Sequence, residues 1–436
     1  MKGRTVPALS VFDARLFASL RRHRNYRLYF SGQLVSQIGT WLQNAAQAWL
    51  VLDITHSAQA VGILSFFLYL PYALFGLIGG ALADRWDRQR TMVVTQTAMA
   101  ICAAALAVVA YMHLDSIVAI DAIAVVRGTI MAFNNPTRQA MMMQLVGRSE
   151  LPNAIALNSS LNNATRVIGP AIAGVLIASV GSATCFALNA ISFVPVIYAL
   201  AVMRPSEFFS NPKHTRTPLL TSIRDCLVYA RRTKTVAVVL TMLFVVSTVS
   251  INFNVVLPVL ARNALHGNAQ TYGLIAATFG LGAFAGAIVA ASRSRVSRRL
   301  LLWAAAGFGV GQLLVAALPT VLGASIALFV TGICYTLYTS SSNTIVQLAV
   351  PPHMQGRIAG LYNYVFLSSG PLGSLLAGWL AERSAALAFL AGGTAAVVMA
   401  AFGYAMRPWP MPTGIIPHRH RRRRRRNQIL SVTPRG

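Results

Sequence analysis

The stretch Gly79–Arg90, GGALADRWDRQR, packs two aspartates and three arginines between apolar runs that extend from Val61 to Ile78 and from Met92 to Ala110. A charged knot of this kind between two long apolar segments reads as a short loop joining two membrane-crossing helices. The rest of the chain has the same texture. Its 436 residues are 56% hydrophobic and 11% charged, with a mean hydropathy of +0.59. A soluble domain carries about a quarter charged residues. A helix needs roughly 20 apolar residues to cross the hydrocarbon core. Inside lipid the backbone must satisfy its own hydrogen bonds, so spans are helices or closed barrels. These runs are apolar on all sides rather than alternating, which selects helix.

Twelve spans are predicted, at 26–52, 57–82, 91–112, 116–134, 154–179, 183–203, 236–260, 271–291, 300–318, 321–343, 356–380 and 385–406. The fold class is an all-α membrane protein with twelve transmembrane helices in two six-helix bundles. The expected organisation is a basic N-terminus (1–25), a first bundle (26–203), a central loop with an interfacial helix (204–235), a second bundle (236–406) and a polyarginine tail (407–436). The first apolar run is too long for a cleaved signal and lacks a small-residue cleavage site, so span one serves as its own insertion signal. Of the 37 Lys and Arg, 33 fall on one side of this topology and only Arg262 and Arg383 on the other, with Arg127 and Arg166 inside spans. Lys- and Arg-rich short loops stay cytoplasmic, which places both termini inside, in a cell membrane of the bacterial inner-membrane kind.

The net charge of +27 therefore follows from topology. The tail His418–Arg426, HRHRRRRRR, and the N-terminal Arg21–Arg27 run read as topology determinants or sites for anionic lipids rather than for nucleic acid. The four cysteines form no CxxC, no HExxH occurs, and the three lysines complete no phosphate-binding loop. No catalytic constellation, metal site or cofactor is expected, and a nucleotide-driven pump on this chain is excluded. The chain is expected to work as a monomer.

The two halves repeat. Gly169-Pro170 in span five matches Gly370-Pro371 in span eleven at an offset of 201, and Gly76-x-x-x-Gly80 matches Gly282-x-x-x-Gly286 at an offset of 206. Such repeats mark secondary transporters, in which a central site lies between two rocking halves. The opening stretch resembles the loop motif of the major facilitator superfamily, G-x-L-A-D-R-x-G-R-[KR]: Gly80, Leu82, Ala83, Asp84, Arg85 and Arg88 match, and Asp87 replaces the second glycine. Arg127–Ala140 (RGTIMAFNNPTRQA), Leu151–Gly174 and Ile251–Arg262 are similar to the drug-efflux branch that includes the enterobactin exporter and macrolide efflux proteins. Span five carries Thr165 and Ala173 where that branch's antiporter motif has glycines, and the second loop copy lacks its aspartate. The resemblance implies that Gly80, Asp84, Arg85 and Arg88 latch against the start of span eleven when the cytoplasmic side closes, with Gly169, Pro170, Gly370 and Pro371 in the moving helices.

Polar groups within the spans mark the candidate site. Gln33, Gln37, Thr40, Asn44 and Gln47 recur at 4-3-4-3 spacing on one face of span one, facing either a neighbouring helix or a hydrated cavity. Gln37 and Trp41 fall near mid-depth. Arg127 and Arg166 also lie near mid-depth, where an arginine costs at least about 2.5–3.5 kcal/mol and so faces the interior and pairs. Asn158 and Asn162 share the Arg166 face. Asp121 is the one carboxylate well inside a span; it serves either as an ion-pair partner or as the proton-coupling group. The second half offers Asn252, Asn254, Tyr335, Tyr338, Tyr362 and Asn363 as lining or packing groups. The expected function is export of small amphipathic molecules by proton antiport. A facilitator or importer without proton coupling is the alternative within transport, and a non-transporting scaffold the alternative outside it.

Overall fold

The computed structural model describes residues 18–83, 86–114, 116–209, 219–293, 296–351, 354–406 and 409, with side chains placed at all of these except 77, 80–83 and 219–225. Helices make up the described chain: α1 (Ala18–Arg22), α2 (Arg24–Thr55), α3 (Ala58–Ala83), α4 (Arg88–Tyr111), α5 (Ile117–Val180), α6 (Ser182–Ala201), α7 (Leu219–Arg232), α8 (Lys234–Val249), α9 (Phe253–Val259), α10 (Ala269–Ser292), α11 (Arg298–Ala317), α12 (Val321–Leu348), α13 (Gln355–Ser368), α14 (Gly370–Arg383) and α15 (Ala385–Ala405).

Ten described segments are long and apolar enough to cross a membrane, against the twelve predicted. The difference has two causes. The 64-residue α5 counts once, although Gly147 breaks it at φ 69°, ψ 176°. The polar stripe of α2 keeps that 32-residue helix off the count. The predicted loop at 135–153 is helical apart from that break, because spans four and five run on past their apolar cores. Gly147 suits the break: its left-handed φ is one that a side chain resists.

Spans seven and eleven are each two helices rather than one. Span seven stops at Val249 and restarts at Phe253. The freed Ser250 carbonyl accepts from Gln312 Nε2 at 3.3 Å, and Ser250 Oγ donates to Gly392 O at 2.7 Å. Span eleven breaks at Ser369, and Pro371 starts α14. A proline has no N–H to lose at a helix start, so the break costs little there. In span five Gly169-Pro170 stays inside a continuous helix.

The first half packs α2 against α5 and α6, α3 against α5, and α4 against α5 and α6; the second packs α10 and α11 against α12, and α11 against α15. The two broadest contacts between the halves are the second arm of α5 on α10 and α3 on α14; α3 also touches α13, and α9 touches α2 and α3. The two broadest are glycine-lined. A Cβ on Gly174 would sit 2.7 Å from the Gly273 Cα, and one on Gly378 3.0 Å from the Gly62 Cα, so backbones touch directly. Gly286 likewise brings α10 against α12, 2.6 Å from the Ile333 carbonyl by the same measure.

The short α1 docks on α5, where Ser19 Oγ donates to Asn153 Oδ1 at 2.7 Å and Arg22 pairs with Glu150. Arg22 thus serves packing as well as charge. In α7, Cys226 and Ala230 are buried, Tyr229 donates to Ala349 O at 3.3 Å, and Leu227 is exposed. The polyarginine tail at His418–Arg426 and the loop residues Asp84 and Arg85 lie outside the described residues, as does the Gly80 side.

Candidate functional site

One cavity of about 620 Å³ lies between the halves, a volume suited to a drug-sized ligand. Its walls come from α2, α3, α5 and α6 on one side and from the span-seven break, α10, α12, α13 and α14 on the other.

The α2 stripe forms much of the first-half wall. Gln33, Gln37, Thr40, Trp41 and Asn44 line the cavity, and Gln37 Nε2 donates to Asn162 Oδ1 at 2.9 Å. Gln47, next on the same face, is instead a packing group: it accepts from Arg127 Nη1 at 2.6 Å, and Asn44 Oδ1 accepts from Nη2 at 2.9 Å. The stripe therefore serves both roles weighed for it, divided along its length.

Arg127 is 3% exposed and lines the cavity with its two terminal nitrogens held by amides, not by Asp121. Asp121 lies near the start of α5 and does not line the cavity; its Oδ1 is buried without a hydrogen-bond partner. Arg166 projects between two rings from opposite halves, 5.2 Å from the Trp41 centroid and 5.6 Å from that of Tyr335. A guanidinium face on an aromatic ring gains about 0.5–2 kcal/mol.

Asn252 and Tyr335 line the second-half wall, together with Asn254 and Asn363. Asn158, Tyr338 and Tyr362 do not. Tyr338 is fully buried, and Tyr362 is buried with its hydroxyl 2.8 Å from Ser342 Oγ and donating to Thr339 O at 3.0 Å. Both are core groups of the second bundle. Pro170 and Gly370 line the cavity; Gly169 gives α5 its close approach to Trp41 on α2, and Pro371 is buried. Arg88 lies away from the cavity, with Nη1 donating to Ala140 O at 3.4 Å.

Sequence reasoning missed several lining groups. Asn135 and Arg138 were hidden by the loop assigned from 135, and Asn134, the last residue of the predicted span, was not singled out. Their signal is the spacing Arg127, Met131, Asn134, Arg138, one helix face continued past the predicted end of span four. Tyr69, Phe253 and Phe279 line the cavity too, from apolar runs where nothing set them apart. Phe253 and Phe279 stand with centroids 4.2 Å apart, and Phe279 lies 5.7 Å from Tyr335. The first half thus supplies the arginines with amides, and the second adds aromatic rings beside three further amides.

The cavity is sealed toward the face opposite the termini. Below the glycine contacts, Trp49 of α2 stacks on Tyr272 of α10 at 5.9 Å and 12°. Arg262 Nη1 pairs with Asp53 at 2.8 Å. Glu382, at the end of α14, accepts from Gln59 N at 2.8 Å and Ser57 Oγ at 3.0 Å, capping the start of α3 across the interface. Toward the termini face α13 begins beside open space: a Cβ at Gly356 or Gly360 would meet nothing within 4 Å.

Among the described residues no group of three or more His, Cys, Asp or Glu forms a metal site. Among the described residues Cys102, Cys185, Cys226 and Cys334 form no disulfide.

Comparison with known proteins agrees with this architecture. The model of a family described as transmembrane secretion effectors, within the major facilitator superfamily, matches residues 14–420. The multidrug efflux pump Tap of Mycolicibacterium fortuitum is 28% identical over 80% of this chain and 88% of its own length. Macrolide efflux protein A of Streptococcus pyogenes is 22% identical over 84% of this chain and 92% of its own. The staphyloferrin A transporter of Staphylococcus aureus is 27% identical over 57% of this chain, a match spanning 62% of that transporter. Among solved structures, the nucleoside transporter NupG superposes with a TM-score of 0.70 at 11% identity, covering 89% of this chain and all of NupG. An inward-facing bacterial homologue of ferroportin gives 0.66 at 14% identity, over 88% of this chain and 98% of its own. At those identities the likeness is one of fold.

Proposed function

The chain belongs to the transmembrane secretion effector family of the major facilitator superfamily, a multi-pass membrane transporter, and on that premise we propose that it exports small amphipathic molecules, drug-like or siderophore-like, by alternating access. The observation that carries this reading is the cavity shared by the two halves, with paired-glycine contacts between them toward the face opposite the termini. Close-packed glycine contacts between two bundles that share a chamber are what a rocking-bundle carrier needs. The efflux functions named for two of the relatives support the outward direction.

In this reading the termini are cytoplasmic, the membrane is the bacterial inner membrane, and the chain acts as a monomer, with its basic N-terminus and tail on anionic lipid. Gly80, Asp84, Arg85 and Arg88 form the latch that closes the termini face in the other half of the cycle. Asp121 is the proposed proton carrier, because its buried Oδ1 has no partner in the present state. A second reading, a facilitator without proton coupling, is favoured by one observation: no Asp or Glu lines the cavity among the described residues.

Reconstituted vesicles with a pH-sensitive dye inside separate the two. Substrate-dependent proton flux that is lost in Asp121→Asn supports antiport. Substrate movement with no proton flux selects the facilitator, and no movement of any amphipathic compound tried overturns the transport reading.

A further inference from the structure

Resting on that exporter reading, we propose that the central cavity takes an amphipathic oxyanion, an acidic group joined to a planar apolar body, with Arg166 as its anchoring cation.

The charge inventory points this way. Arg127, Arg138 and Arg166 line the cavity, and no Asp or Glu does among the described residues. No carboxylate lies within ion-pair distance of any of the three among the described residues. Arg127 is buried and Arg138 and Arg166 are half-buried at the cavity wall, and three guanidinium groups converging there without a counter-charge leave the chamber electrostatically incomplete. An anionic occupant completes it, and a cationic one adds a like charge.

The three arginines are not equivalent. Both terminal nitrogens of Arg127 are occupied by Gln47 and Asn44, so it sets the potential of the site without being free to grip a ligand. Arg166 is different. Its Cζ lies over the Trp41 ring of one half and the Tyr335 ring of the other, and its Nε is buried without a hydrogen-bond partner. An arginine with an unused donor at a cavity wall suits a planar acceptor such as a carboxylate or phosphate, which a guanidinium can bind in bidentate fashion.

The unpaired polar atoms agree. Of the cavity-lining side chains, Gln33 Nε2, Gln43 Nε2 and Arg166 Nε are buried without partners, and all three are donors. The Gln43 assignment is fixed by its neighbour, because its Oε1 already accepts from Asn189 Nδ2. Buried donors left unmade are costly, so the occupant that fits is rich in acceptors. From the second half, Phe253, Phe279 and Phe366 supply apolar rings for the rest of the molecule. Arg166 touches rings of both bundles, so a ligand on it bears on the contact that must change when the halves rock.

The test uses three probes of one shape and three charges: 2-naphthoate, 2-naphthamide and 2-naphthylmethylammonium. Each is titrated calorimetrically into the purified full chain in lipid nanodiscs. The expected order places the carboxylate about 10-fold or more tighter than the amide, as a hydrogen bond to a charged group predicts, with the ammonium last. Arg166→Gln should remove most of the carboxylate's preference over the amide, and Arg166→Lys should keep part of it. Equal binding of all three, or tightest binding of the ammonium, overturns the oxyanion assignment and leaves export of neutral or cationic amphipaths standing. A preference that survives intact in Arg166→Gln overturns Arg166 as the anchor. No binding of any probe to the wild-type chain overturns this inference and the amphipath reading together. If the Arg166 variants do not fold, the charge series on the wild-type chain decides alone.

Discussion

Substituting Gly273 with valine should shift the carrier toward the state open at the face opposite the termini. A Cβ on Gly273 would lie 2.7 Å from the Gly174 Cα, 2.9 Å from the Pro170 carbonyl and 3.1 Å from the Gly174 nitrogen. All three neighbours are backbone, so no side chain can swing away. Ordinary contact begins at 3.4–4 Å, so the helices must part by the difference, about 0.7–1.3 Å, before the two valine methyls are placed. Overpacking a fitted contact costs about 1–3 kcal/mol. That cost falls on the closed state alone, since the α5–α10 seam opens in the other. The balance between states should therefore move by about 5–150-fold, with Gly273→Ala giving a smaller shift in the same direction. Spin labels at Ser179→Cys and Gln270→Cys, exposed positions on α5 and α10 near the seam, report the separation by pulsed electron resonance. A longer-distance population that grows from Gly to Ala to Val is the expected result. An unchanged distance distribution in a folded Gly273→Val chain would refute the idea that this seam is the closed gate.

Three further outcomes follow from the same contacts. Gln47→Leu leaves the buried Arg127 Nη1 without its acceptor, a loss of about 1.5–3 kcal/mol of stability; thermal unfolding should shift to lower temperature, and an unchanged midpoint would remove this bond as a stabilising contact. Glu382→Gln removes a carboxylate from the start of α3, worth about 0.3–1 kcal/mol, and should raise the far-face-open population about 2- to 5-fold at low salt in the same spin-label assay. Asp84→Asn should lower transport without reducing membrane insertion, and undiminished transport in vesicles would remove the latch role.

The sequence made the architecture readable because lipid imposes a long apolar run on every span and a charge asymmetry on every loop. It was less readable where helices break or outrun the membrane. Span seven is interrupted at Ser250–Asn252 because Gln312 and Gly392, about 60 and 140 residues away in sequence, accommodate its freed polar groups, and no local signal announces such partners. Span four continues through Arg138, so a lining arginine was assigned to a loop. The α2 stripe and the Arg166 face were legible from spacing alone. The amides that hold Arg127 lay on that stripe, but which arginine they would hold depends on how α2 and α5 cross. The aromatic wall left no trace, because phenylalanine in an apolar span looks the same whether it faces lipid, core or cavity. The cap that Asp87 supplies to α4, accepting from Arg90 N at 2.7 Å, explains one departure from the loop motif: the residue in place of the glycine begins the next helix.

The central claim is that one chamber between two bundles opens in turn to each face. Single cysteines at Asn162 and Asn252, lining residues from opposite halves, test it in a chain without its four native cysteines. Membrane-impermeant thiol reagent is applied to one face of sealed vesicles and then to the other. Alternating access predicts labelling of both positions from both faces, with substrate changing the two rates in opposite directions. Labelling from the termini face alone, under every condition, would contradict it.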